Sequence, residues 1–127
     1  MSGIQVIKIM KEEVHDLPEE NIKGVFLPRT FFSSASVGIV EPQKTQTRHY
    51  HNRVNDGVEI VFIYAGKCTL LTDEGESEIY DIDRNGPIYV CVPTKTVAHI
   101  KNVGMNNVHF FSVFTPGLVP EELVFLE

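Results

Sequence analysis

Apolar residues in this chain fall into short runs, many of them alternating with polar positions, and turn-forming residues punctuate them at regular intervals. Ile4 to Ile9 alternates well enough for a first strand. From Ser34 onward the same signal recurs over Ala35 to Val40, Thr47 to Asn52, Val58 to Tyr64, Cys68 to Thr72, Ser77 to Asp81, Ile88 to Val92, Val97 to Asn102 and Val108 to Thr115. Asn55-Asp56-Gly57, Asp73-Glu74-Gly75 and Arg84-Asn85-Gly86-Pro87 separate several of these runs, with glycine or asparagine available for positive φ. Short strands spaced in this way predict an all-β sandwich or barrel. Lys11 to Glu20 is an acidic run broken by Pro18 and reads as a short helical turn or a solvated loop. The tail from Pro116 carries an apolar stretch, Leu123 to Leu126, expected to pack on the outside of the barrel or on a second subunit.

Composition narrows the class. With 127 residues, 43% of them hydrophobic and 22% charged, the chain is expected to be one domain, residues 1–127, that buries its own core without staples. Its net charge is −6 and its lysines and arginines are scattered, so no nucleic-acid partner is expected. No apolar run reaches the roughly 18 residues of a membrane-spanning helix, and Met1 to Met10 lacks the pattern of a secretory leader, so a cytoplasmic protein with no membrane partner is expected. Cys68 and Cys91 sit in predicted strands without metal spacing and read as buried, reduced thiols, with a disulfide open only if their strands are neighbours.

The chemistry gathers in three places: His49-Tyr50-His51, Glu59 at the head of an apolar strand, and His99. Side chains two apart on a strand share a face, so His49 and His51 can aim inward together while Tyr50 faces out. On the next strand Glu59, Val61 and Ile63 share a face. Imidazole and carboxylate suit a divalent first-row metal, Mn, Fe, Co, Ni or Zn, so His49, His51, Glu59 and His99 are the expected ligands of one ion. Asp56 is a rival carboxylate, although its place in a turn tripeptide favours a hairpin corner. His15 and His109 read as ordinary packed or exposed histidines, and alternation turns Arg48, Tyr50 and Tyr64 away from the ligand face.

From about residue 35 to 115 the chain resembles the cupin superfamily, small jelly-roll barrels with two sequence motifs. The first motif is Gly, five residues, His-x-His, three or four residues, Glu, six residues, Gly. His49-Tyr50-His51 matches its middle and Glu59 with Gly66 its end, whereas Gln43 stands at the opening glycine and seven residues separate His51 from Glu59. A longer hairpin loop over residues 52–57 accounts for the extra length, and it also puts Asp56 at the family's usual distance from His51. The second motif, Gly, five residues, Pro-x-Gly, two residues, His, three residues, Asn, is represented by Gly86, Pro93, His99 and Asn102. Lys95 replaces its second glycine. One residue is added before Pro93 and one before His99, and one is missing before Asn102.

The resemblance implies a single-domain cupin jelly-roll β-barrel with a short N-terminal extension. Phe26, Arg29, Phe31 and Phe32 would lie in that extension, either as local core or swapped onto a partner's sheet in a homodimer. The implied function is that of a small metalloenzyme acting on a small polar substrate by oxygenation, decarboxylation, or sugar isomerisation or epimerisation. The alternative is a non-catalytic ligand-binding or sensing module. No catalytic residue is identified; Asp56, Tyr89 and Lys95 are the polar groups considered for the open side of the metal.

Overall fold

The alternation folds into two facing sheets in the computed structural model, which describes residues 8, 11–27, 34–52, 57–115 and 123–126. One sheet has six strands in the order β1 (His15–Leu17), β2 (Ile22–Phe26), β3 (Ser34–Val40), β11 (Val108–Thr115), β5 (Val58–Ala65) and β9 (Ile88–Pro93). The other pairs β10 (Ala98–Asn102) with β6 (Lys67–Thr72), and β6 in turn with the two-residue strands β7 (Gly75–Glu76) and β8 (Tyr80–Asp81). A third, two-stranded ribbon joins β4 (His49–His51) to β12 (Leu123–Phe125). Every pairing among the described strands is antiparallel.

Strand parity decides what faces inward. On β5 Glu59, Val61 and Ile63 are buried while Ile60, Phe62 and Tyr64 are exposed; on β11 Phe110, Ser112 and Phe114 are buried. These inner rows meet Val40, Cys68, Val92, Ile100 and Val108 in one apolar core. Phe110 fits because Gly38 lies beneath it: a Cβ at Gly38 would overlap the Phe110 ring. Gly66, the last position of the first motif, has φ +99°, and a Cβ there would stand 2.7 Å from the Asn107 carbonyl oxygen. Its amide donates to Asp83 Oδ1 at 2.9 Å, which locks the β5–β6 corner.

Several expectations are revised. Lys11 to Glu20 contains the helical turn, a 3-10 turn at Lys11–Glu13, but also β1, which pairs with β2 in a hairpin not foreseen from the sequence. Ser77 to Asp81 is not one strand. Its centre leaves the ladder, Ser77 Oγ accepts from Leu70 N at 2.9 Å, and the chain then turns into α1 (Ile82–Asn85), capped by the Asp81 carboxylate on Arg84 N. Cys68 is buried as expected but Cys91 is exposed, because on β9 it shares the outward parity of Tyr89 and Pro93; the two thiols lie on different sheets and are both free. The apolar tail is a strand that covers β4, in the register Leu123 to His51 and Phe125 to His49. Ile4 to Ile9, apart from Lys8, together with Arg29, Phe31 and Phe32, lies outside the described residues.

Candidate metal centre

The first half of the site is built on β4 and β5. His49 and His51 are 4% and 5% exposed and Glu59 is 9% exposed, so strand alternation delivers all three to the interior. The two imidazole rings stand 5.1 Å apart, edge to face, and His51 Nδ1 lies 3.6 Å from Glu59 Oε1. The His51 ring packs against Phe114 at 5.0 Å and the His49 ring against Phe125 at 6.2 Å. Tyr50 is half-buried on the other side of β4, and exposed Arg48 reaches Asp73 at 2.7 Å.

The second half is built on β10 and the segment before β4. His99 Nδ1 lies 2.6 Å from the Gln46 carbonyl oxygen, and His49 Nδ1 lies 2.7 Å from that of Thr47. A backbone carbonyl can only accept, so in each neutral ring Nδ1 carries the proton and Nε2 keeps its lone pair. A metal-ligating histidine likewise gives its other ring N–H to a carbonyl or carboxylate, which holds the ring and its tautomer in place. Burial pushes the His49 pKa below the ordinary imidazole value, outweighing the hydrogen bond to Thr47, and the neighbouring His99 lowers it further. A neutral imidazole is the form that binds a cation.

His49, Glu59 and His99 line one cavity of about 20 Å³, together with Gln46, Val61 and Ser112. That volume holds a single water molecule or ion. A second cavity, again about 20 Å³, shares Gln46, His49, Glu59 and Ser112 and adds His51 and Glu20. His99 lines the first cavity from β10 and is half-buried there. On β10 it pairs with Leu71 and is out of phase with buried Ile100 and Asn102. The donors line two cavities that share residues without meeting at a point: among the described residues no three His, Cys, Asp or Glu side chains are placed to hold one ion together. The donor types, the fixed tautomers and the cavity size suit a divalent cation; the placement of the donors, in the first half as in the second, does not bring three of them onto one point.

Other candidates fall into place. Asp56 lies outside the described residues. Tyr89 is 68% exposed on the outer face of β9, and Lys95 is exposed in a turn with φ 62°, so neither faces the cavity. His109 takes the outward parity of β11 and packs beside Tyr64, and His15 is exposed beside the Glu13 carbonyl.

Glu20 was missed in the sequence. Its carboxyl is carried inward by the β1–β2 turn, which is tied to the segment before β4 by Thr47 N to Glu20 O at 2.9 Å and Asn21 Nδ2 to Thr45 O at 2.9 Å. Desolvation, with help from Glu19, raises its pKa to about 7. Gln46 was also missed; its side chain accepts from Ile100 N at 3.1 Å and links the two halves.

No protein-family model matches the chain, and no curated protein matches it in sequence. Solved structures do match in shape. An uncharacterized conserved protein with a double-stranded beta-helix domain from Klebsiella pneumoniae subsp. pneumoniae MGH 78578 superposes with a TM-score of 0.74 at 18% identity, covering 98% of this chain and 99% of that one. A Cupin 2 conserved barrel domain protein from Salinispora arenicola CNS-205 gives 0.67 at 14% identity over 89% and 90% of the two chains. A Streptomyces PAC13 variant, solved with uridine, gives 0.66 at 12% identity over 97% and 92%. Two facing antiparallel sheets, the His-x-His strand against the Glu59 strand and these superpositions lead to one identification: the chain has the all-β cupin fold, a double-stranded β-helix.

Proposed function

We propose that the barrel holds one divalent transition metal at His49, His51 and Glu59, with His99 closing from β10, and that the protein is a small metalloenzyme acting on a small polar substrate. The observation that carries this reading is the pair of Nδ1 contacts, His49 to Thr47 O and His99 to Gln46 O, which leave two Nε2 lone pairs beside a buried carboxylate. When bound, a divalent cation polarises a carbonyl or lowers the pKa of bound water. The protein supplies the rest. Phe110 and Val92 keep the cavity apolar, Ser112 and Gln46 offer polar contacts, and Glu20 can hold or release a proton at its carboxyl. A carboxyl facing the cavity favours turnover over passive sensing, and among the candidate reactions it favours isomerisation or epimerisation by proton transfer. A protein solved with uridine on the same fold supports a small-molecule ligand as the partner. The working unit is a homodimer, and free Cys68 and Cys91 suit the cytoplasm.

Elemental analysis of protein purified without chelator tests the metal: about one equivalent per chain is expected for this donor set. His51→Ala should lose it, and Asp56→Ala should retain it. Absence of metal after purification, combined with no rise in unfolding temperature on adding Mn, Fe, Co, Ni or Zn salts, would refute the reading, since an ion that binds only the native state must stabilise it.

A further inference from the structure

The buried polar side chains of the barrel divide into two groups. Asn102 and Thr69 are paired, Asn102 by three hydrogen bonds and Thr69 Oγ1 by donation to Glu76 at 2.7 Å. Gln46 and Ser112, 8% and 1% exposed, keep unpaired groups. Gln46 Oε1 accepts from Ile100 N at 3.1 Å, which leaves its Nε2 without a partner among the described residues, and the Ser112 hydroxyl has none there either. These two side chains line both cavities of the candidate centre. Ser36 stands opposite Ser112 in the β3–β11 ladder and brings another unpaired hydroxyl to the second cavity. A buried polar group without a partner raises the free energy of the fold, so unpaired donors gathered at one cavity point to a ligand.

We propose that the second cavity is a subsite for one uncharged hydroxyl of the substrate, held by Gln46 Nε2, Ser112 and Ser36, and that the substrate is a neutral hydroxy-carbonyl compound rather than an acid or a phosphate ester. The inference deepens the proposed function and rests on it for the barrel interior as the ligand site, though not for the metal. Hydrogen-bond capacity selects the hydroxyl. Nε2 only donates, a serine hydroxyl donates or accepts, and the Glu59 carboxylate on the same cavity only accepts. A ligand hydroxyl accepts from the amide and donates onward, which a carbonyl oxygen cannot do. Size agrees, since about 20 Å³ admits one water-sized group and excludes a carboxylate or a phosphate. Charge agrees as well. No lysine or arginine among the described residues lines either cavity, and Glu20 and Glu59 both line the second, so an anion there would face carboxyls with no counter-charge from the chain.

Ligand-observed NMR titration with 1,3-dihydroxyacetone, and with malonate as a three-carbon skeleton carrying a carboxylate at each end, tests this on wild type and Ser112→Ala, each as purified and after EDTA. Ser112→Ala should weaken dihydroxyacetone binding about fivefold, the loss of one neutral hydrogen bond, and leave any malonate binding unchanged. Its urea midpoint should not fall, because the hydroxyl removed is unpaired among the described residues. A wild type that does not bind dihydroxyacetone, or a variant that binds it equally well, overturns the subsite. A malonate loss equal to that for dihydroxyacetone overturns the neutral class. A lower urea midpoint in Ser112→Ala also overturns the proposal, since it would assign the hydroxyl to a fixed structural water. The same Ser112 dependence after EDTA leaves the subsite standing where the metal reading fails, and metal retained by a wild type indifferent to dihydroxyacetone leaves the metal standing where the subsite fails.

Discussion

The two halves of the candidate centre differ in how deeply the barrel buries their side chains. In the first half, His49-x-His51 and Glu59 keep strand parity, and all three side chains are buried on the cavity side. In the second, two residues separate His99 from Asn102 instead of three, and His99 is half-buried beside the cavity while Asn102 is fully buried. Asn102 took the interior. It is 1% exposed and makes three side-chain hydrogen bonds, donating to Val40 O at 2.9 Å and Asn106 O at 2.8 Å and accepting from Gly104 N at 2.8 Å. His99 is half-buried and lines the cavity. A residue type in a motif is worth what its parity allows, because one residue more or less on a strand exchanges inside for outside.

If that contrast governs metal binding, the ligand variants should split. His49→Ala and His51→Ala should abolish metal retention, whereas His99→Ala should weaken it on the order of tenfold, about 1.4 kcal/mol. Equilibrium dialysis with Co(II) or Zn(II) measures this, and equal losses in all three variants would erase the distinction between the halves.

Asn102→Ala probes the structural side. Losing three hydrogen bonds at a fully buried position, with two carbonyls and one amide left without that partner, should cost about 2–4 kcal/mol in urea unfolding. A loss below about 0.5 kcal/mol, the ordinary range for a surface site, would show that Asn102 does not hold the second half in place.

Glu20→Gln should have a smaller effect that depends on pH. The folded state keeps the Glu20 proton up to about pH 7, while the unfolded chain releases it near the ordinary carboxyl value of 4.5. Folding is therefore penalised increasingly as pH rises from 4.5 to 7 and by a constant amount above that. After allowance for partial exposure, the variant should be more stable than wild type by about 1–2 kcal/mol at pH 8 and by much less at pH 5. A stability difference that does not change with pH would remove Glu20 from the cavity.

The smallest effect belongs to Arg48, whose exposed ion pair with Asp73 ties the first half to the β6–β7 turn. Arg48→Ala should change stability by no more than about 0.5 kcal/mol. A larger change in the midpoint of thermal unfolding would mean that the first half depends on this strut.

Much of this was legible in the chain itself. Alternation over Val58 to Tyr64 and Val108 to Thr115 fixed which side chains are buried, since a two-residue period admits only two answers. It placed Glu59, His49 and His51 inside and Arg48 and Tyr64 outside. It also carried the outward parity of Cys91, which a general preference for buried thiols obscured. What the tertiary structure alone decided is how separate segments meet. Glu20 enters the cavity only because a hairpin too short to give a periodic signal folds over the barrel and bonds to Thr45 and Thr47. The tail strand covers β4, and Asn102 is held in the interior by hydrogen bonds to Val40, Gly104 and Asn106 that satisfy a buried amide. Such choices weigh contacts across many residues of sequence, and a local pattern carries no record of which distant partner will be there.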